Sequence, residues 1–175
     1  MKASIALGYA DNSDGGASVG ATDGSDNFQL QAGLMDPETG LFGSIAYQHE
    51  EADGVSQAIV GATGGVVQDE TDAWWLKVGI KKQWFDVGDT SLSFDYGQYE
   101  DQYNVFQAAL GVTGSEVERI GFAIDQYFGS SLIIYGKWEQ LDLDVDVSVL
   151  SPVTAAEFAG ADELDTFTLG AVYFF

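Results

Sequence analysis

Along much of this chain apolar and polar residues alternate one by one, which is the two-residue period of a strand with one apolar face. Eight segments carry the pattern. The first holds Ile5, Leu7 and Tyr9, the second Phe28, Leu30, Ala32 and Leu34, the third Leu41, Gly43, Ile45 and Tyr47. Trp74, Leu76, Val78 and Ile80 mark the fourth; Leu92, Phe94 and Tyr96 the fifth; Ile120, Phe122 and Ile124 the sixth. The seventh carries Leu132, Ile134, Gly136 and Trp138, and the last Phe167, Leu169, Ala171, Tyr173 and Phe175. The intervening positions are polar or small, among them Gln29, Gln31, Ser44, Gln48, Ser91, Ser93, Thr166 and Thr168. The pattern predicts an all-β, antiparallel, up-and-down chain in a single domain covering residues 1–175.

The connections between these segments alternate in length. Asp36-Pro37-Glu38-Thr39-Gly40, residues 85–90 and Gly129-Ser130-Ser131 are short and rich in turn formers. Residues 11–27, 50–71, 100–116 and 143–162 are long. In an up-and-down sheet every short turn then falls at one end and every long segment at the other, the layout of a transmembrane β-barrel with periplasmic turns and external loops. The aromatics follow the same frame. Tyr9, Phe28, Tyr47, Trp74, Trp138 and Phe167 fall near the long-segment ends of their apolar faces. Trp84, Phe85, Phe128, Tyr173 and Phe175 fall near the other ends, giving two aromatic girdles around an aliphatic band. Lys82 is expected on the outward face near the periplasmic rim, with its stem snorkelling to water.

Composition narrows the function classes. Six basic residues stand against 28 acidic ones, a formal charge of -22, which excludes nucleic-acid binding through phosphate contacts. No apolar run approaches the roughly 18 residues of a spanning helix, so a membrane crossing would have to be made by a closed sheet. There is no cysteine, hence no disulfide framework, thiolate site or thiol catalysis. Met1-Lys2-Ala3-Ser4 leads directly into a strand and carries no signal-peptide pattern. An exported protein starting this way is expected to be a mature form bearing a start Met, or a piece of a longer chain.

The few cations are placed with unusual regularity. Lys77, Lys81, Arg119 and Lys137 share the polar-face parity with Asp95, Asp125 and Glu139. In a wide barrel such residues line a water-filled lumen and tune ion selectivity; in a narrow one they form an interior salt-bridge network that fills it. Almost no ionisable residue is expected on the apolar faces. Asp142, Asp144 and Asp146 alternate near the base of a long segment and are read as a solvated acidic stretch, since the glycine and distal glutamate of a calcium loop are missing. Asp11, Asp14, Asp23, Asp53, Asp69 and Glu70 are read as loop acids that collect divalent ions loosely beside anionic lipopolysaccharide. His49, the one histidine, shares the outward parity of Ile45 and Tyr47, and no serine is placed beside it as a nucleophile. Gly61-Ala62-Thr63-Gly64-Gly65 lacks the lysine of a phosphate loop. The chain is therefore read as a non-enzyme without metal or cofactor.

The ending D-T-F-T-L-G-A-V-Y-F-F resembles the terminal strand of Gram-negative outer-membrane β-barrels, and the loop rhythm resembles the C-terminal half of a general porin. The resemblance implies that Phe167, Leu169, Tyr173 and Phe175 belong to a signal read by the barrel-assembly machinery. It also implies a 16-stranded, trimeric barrel in the cell outer membrane, through which small hydrophilic solutes diffuse passively. A self-closed eight-stranded barrel that anchors or adheres without conducting is the alternative, and a soluble lipocalin-like barrel, with the faces inverted, a third.

Overall fold

The computed structural model describes residues 1–11, 24–53, 70–101, 112–147 and 163–175. They form eight strands: β1 (Lys2–Asp11), β2 (Gly24–Met35), β3 (Leu41–Asp53), β4 (Glu70–Phe85), β5 (Gly88–Glu100), β6 (Val112–Phe128), β7 (Leu132–Val147) and β8 (Glu163–Tyr173). All lie in one antiparallel sheet in the order β1 to β8. The sheet is open: each strand pairs with its chain neighbours, and β1 and β8 are its two edges. Among the described residues no helix is long and apolar enough to cross a membrane.

Each ladder keeps side chains of like polarity together. One row runs Ser4, Gly33, Ser44, Lys77, Asp95, Gly121, Glu139 and Thr166 across all eight strands. Because the pleat has a period of two, that row fixes the polar face throughout the regular ladders. The burial is the reverse of a globular sheet. Phe94, Phe122 and Ile124 are roughly half exposed and Leu169 is 83% exposed, whereas Asp95 is 1% exposed. Ser91, Ser93 and Ala123, also on the polar face, are buried as well. At the edges the polar face is open, with Ala6, Gly8, Gln29 and Gln31 exposed.

The strands outrun the apolar alternation that announces them. Beyond Gln140 the phase flips: Leu141, Leu143 and Val145 join the polar-face side, and Asp142, Asp144 and Asp146 turn outward on β7. The aspartates thus sit on a strand, and the segment after Leu143 is strand as far as Val147. The same flip puts Glu70, Asp72, Glu116, Glu118, Glu163 and Asp165 on the apolar side at the long-segment end. The expectation that ionisable groups are nearly absent from that side therefore holds only in mid-strand. Pairing with neighbours continues a strand after its hydropathy pattern has changed.

Two of the turns repay attention. The sequence predicts a turn over residues 85–90; the chain reverses within Asp86 and Val87, and Phe85 pairs with Gly88 across an irregularity that follows Lys82. Between β2 and β3, Asp36 accepts hydrogen bonds from Thr39 Oγ1 at 2.7 Å and the Glu38 amide at 3.2 Å. These two contacts, the hydroxyl first, hold its carboxyl below the usual aspartate value. Gly40 closes this turn with φ 78°, a backbone conformation open chiefly to glycine, and a Cβ there would collide with the Lys81 carbonyl. Asp14, Asp23, Asp69 and the glycine-rich stretch 61–65 lie outside the described residues.

Candidate functional site: a charged polar face and an aromatic rim

The polar face of β4 to β7 concentrates the charges. Arg119 on β6 donates to Asp95 of β5 at 2.9 Å and to Glu139 of β7 at 2.9 Å, and Lys137 meets Glu139 at 2.6 Å. Trp75 on β4 adds its indole N–H to the same Asp95 oxygen at 3.2 Å. A carboxylate as buried as Asp95 is tolerable only with such charged and hydrogen-bonding partners. The packing depends on Gly121, which lies beside Asp95 in the row: a Cβ there would be 2.6 Å from Asp95 Oδ1. Nearer the short-turn end, Lys81 meets Asp89 at 3.8 Å and stands 3.6 Å from the centre of the Tyr127 ring, a cation–π contact.

The sequence-based candidates fall as follows. Lys77, Lys81, Asp95, Arg119, Asp125, Lys137 and Glu139 all lie on the polar face. The structure joins Asp95, Arg119, Glu139 and Lys137 into one network. Lys77 stands opposite Asp95 in the ladder, yet makes no ion pair within 4 Å among the described residues. Asp125 is paired in register with Ser91 and Tyr135 and likewise stays outside the network. Trp75, Tyr99, Asp89 and Tyr127 were not singled out from the sequence. Parity was the available signal, since Trp75 stands two residues before Lys77 and Tyr99 four after Asp95.

A second pattern runs along the apolar face at the long-segment end. Tyr9 donates to Asp26 at 3.1 Å, Tyr47 to Asp72 at 2.6 Å, Tyr96 to Glu118 at 2.6 Å and Trp138 to Asp165 at 2.9 Å. Each aromatic sits on an odd-numbered strand and each acceptor on the strand that follows. In every case the acceptor is the ladder partner of the residue two positions past the aromatic: Asp11, His49, Gln98 and Gln140. The device thus recurs in each pair of strands joined by a long segment. It places an aromatic ring in the apolar band and its polar tip on a carboxylate at the band's edge, where a side chain with one apolar and one polar end is most at home.

The remaining girdle residues fit between. Trp74 stacks at a tilt on Tyr96, 5.2 Å between centroids, and donates to Gln98 at 3.0 Å; Phe28 is 40% exposed. His49 Nδ1 is 3.1 Å from Asp72 on the outward side, and among the described residues no serine hydrogen-bonds it. Lys82 is exposed near the short-turn end. At the terminus Phe167 is 81% exposed and Tyr173 64%, with Tyr173 and Phe175 rings stacked at 6.3 Å. Phe174 and Phe175 lie past the last strand residue, the Phe174 amide bonding to the Ser131 carbonyl at 2.8 Å. Among the described residues no group of three or more His, Asp or Glu is arranged to hold a metal ion.

No known family matches this chain, and neither the curated proteins nor the solved structures contain a match.

Proposed function

We propose that this sheet is part of the wall of an outer-membrane barrel of the general-porin kind, through which small hydrophilic solutes and ions diffuse passively. No bond is made or broken. The observation that carries the reading is the inverted burial: Leu169 and Phe122 are exposed while Asp95 and Ser93 are not. An apolar band edged by hydrogen-bonded aromatics suits lipid, and a polar face bearing fixed charges of both signs suits water. A lipocalin-like barrel would need the opposite faces.

Two further features favour a wide lumen over a small plugged barrel. The polar face is exposed at Ala6, Gln29 and Gln31, where a narrow barrel would be filled by side chains. The unpaired edges of β1 and β8 suit a sheet completed by further strands, as in a 16-stranded barrel. The non-conducting alternative rests on the Arg119 network, which is also what would fill an eight-stranded interior. The proposed partners are outer-membrane lipid and lipopolysaccharide on the apolar face, the barrel-assembly machinery at Phe167, Leu169, Tyr173 and Phe175, and two further copies in a trimer.

Reconstitution into planar lipid bilayers tests the proposal. Stepwise currents of about a nanosiemens require a wide lumen. A membrane-inserted protein that never conducts returns the non-conducting barrel, and a monomer that stays soluble without detergent removes the membrane reading altogether.

A further inference from the structure

One hollow on the polar face differs in chemistry from the rest of the molecule. It measures about 330 Å³ and spans β1 to β5 toward the long-segment end. Gln29, Gln31, Gln48, Trp75 and Tyr99 line it, together with Ala46 and Ala73. None of its lining residues is charged, in a chain with 28 acidic and six basic residues. A site of that kind selects against ions and for a neutral, hydrogen-bonding solute.

The side chains define that solute further. A glutamine amide offers both a carbonyl acceptor and two N–H donors, and so can meet a hydroxyl in either role. Three of them face one hollow. The side chains of Gln29 and Gln48 are joined by a long hydrogen bond of 3.4 Å, which is readily exchanged for better ones. The Gln31 side chain makes no hydrogen bond among the described residues, so its amide group is free for a ligand. Trp75 and Tyr99 contribute flat apolar faces. Both rings lie against Gly97, where a Cβ would come within 3.2 Å of Trp75 Cδ1 and of Tyr99 Cε2. The bond from the Trp75 indole to Asp95 at 3.2 Å holds that ring in place. The platform is therefore set before any ligand arrives, which lowers the ordering cost of binding.

We propose that this hollow is a contact site for neutral sugars: Trp75 and Tyr99 stack on the C–H face of a sugar ring while Gln29, Gln31 and Gln48 exchange hydrogen bonds with its hydroxyls. Its volume lies at the lower end of the usual range for small-molecule sites, about 300–1,000 Å³, which suits a mono- or disaccharide. Being shallow and open, it holds a solute briefly, as a pore wall must if the solute is to leave again. The inference rests on the pore reading and names a class of solute for it.

The test uses the full chain in planar bilayers with maltose as the probe and a polyethylene glycol of similar mass as the control. Maltose is expected to reduce the ion current along a saturating curve, and the glycol only in proportion to its bulk concentration. Replacing both Gln31→Ala and Gln48→Ala is expected to raise the half-blocking maltose concentration by about tenfold or more, the loss of one to two net hydrogen bonds. A conducting pore in which maltose behaves like the glycol, or in which the double variant blocks as well as the parent, overturns the site and leaves the pore standing. Should no current appear, the pore reading fails, and calorimetric titration of maltose into the detergent-solubilised protein decides the site by itself. Saturable heat that weakens in the double variant sustains it; no heat overturns it.

Discussion

Strands β4 to β7 and strands β1 to β3 share one polar face and furnish it in opposite ways. On β4 to β7 it is crowded: Asp95 is 1% exposed, Arg119 bridges two carboxylates, and Gly121 makes room for them. On β1 to β3 its mid-strand positions carry Ser4, Ala6, Gly8, Gln29, Gln31, Ser44 and Ala46, small or amide side chains, and its charges, Lys2 and Glu50, stand toward the strand ends. The apolar face shows no such division, since exposed aliphatics and the aromatic–carboxylate device run from β1 to β8. The apolar face is thus uniform along the sheet, and the chemical variation is confined to the other side. On the proposed reading, charge selection belongs to β4 to β7, and neutral contacts to the mid-strand positions of β1 to β3 with the Trp75–Tyr99 platform at their border.

The largest expected effect is on the crowded side. Arg119→Ala leaves Asp95 and Glu139 without their shared guanidinium, and breaking a buried ion pair from one side costs roughly 3–5 kcal/mol. Arg119 is itself 21% exposed, so the lower figure, about 3 kcal/mol, is expected in urea unfolding of the refolded protein. Gln31→Ala on the open side is expected within about 0.5 kcal/mol of the parent. Equal losses at the two positions would erase the contrast.

A smaller effect compares two glycines. Gly121→Ala forces a Cβ to within 2.6 Å of the Asp95 carboxylate and is expected to cost about 1–3 kcal/mol, as overpacking does. Gly8→Ala meets nothing nearer than Gln29 Cβ at 3.8 Å and is expected to be tolerated in the same assay. Next comes Lys77→Gln, which removes a cation that makes no ion pair among the described residues. Stability is expected to change by less than about 0.5 kcal/mol, while the reversal potential in a KCl gradient moves toward cation selectivity. Lys137→Gln, which loosens a partnered carboxylate, is expected to change both.

The smallest effect lies outside both regions, in the turn of Asp36. Its carboxyl is held below the usual value by Thr39 and the Glu38 amide. It therefore contributes stability that is present above the unfolded-state value near 3.9 and is lost as pH falls through the lower folded-state value. Asp36→Asn is expected to lose this small contribution above about pH 4, so that the acid limb is flatter and the difference from the parent vanishes as pH falls through the folded-state value.

Much of this fold is legible from alternation alone. A period of two identifies each strand wherever a mid-strand aliphatic such as Leu76, Phe122 or Leu169 marks its phase, and the inner charges follow by parity. Strand ends are less legible, because the phase flips at residues such as Gln140 and Asp72 and pairing carries the strand onward. The identity of partners is not legible. That Arg119 takes Asp95 and Glu139, and that Lys77 takes neither, depends on register across three ladders, which no single strand encodes. Trp75 and Tyr99 are hard to read for a simpler reason: an aromatic on a polar face contradicts the hydropathy rule, although its parity is plain. The aromatic–carboxylate device needed both register and diagonal reach, so it emerged only from the structure.

The central claim concerns which face meets lipid, and the absence of cysteine makes it directly measurable. Single replacements Thr166→Cys, Phe167→Cys, Thr168→Cys and Leu169→Cys along β8, reconstituted in liposomes, are exposed to a charged, membrane-impermeant maleimide. Reaction at 166 and 168 with protection at 167 and 169 is the expected result. Protection at 166 and 168 with reaction at 167 and 169, or equal reaction at all four, contradicts the account.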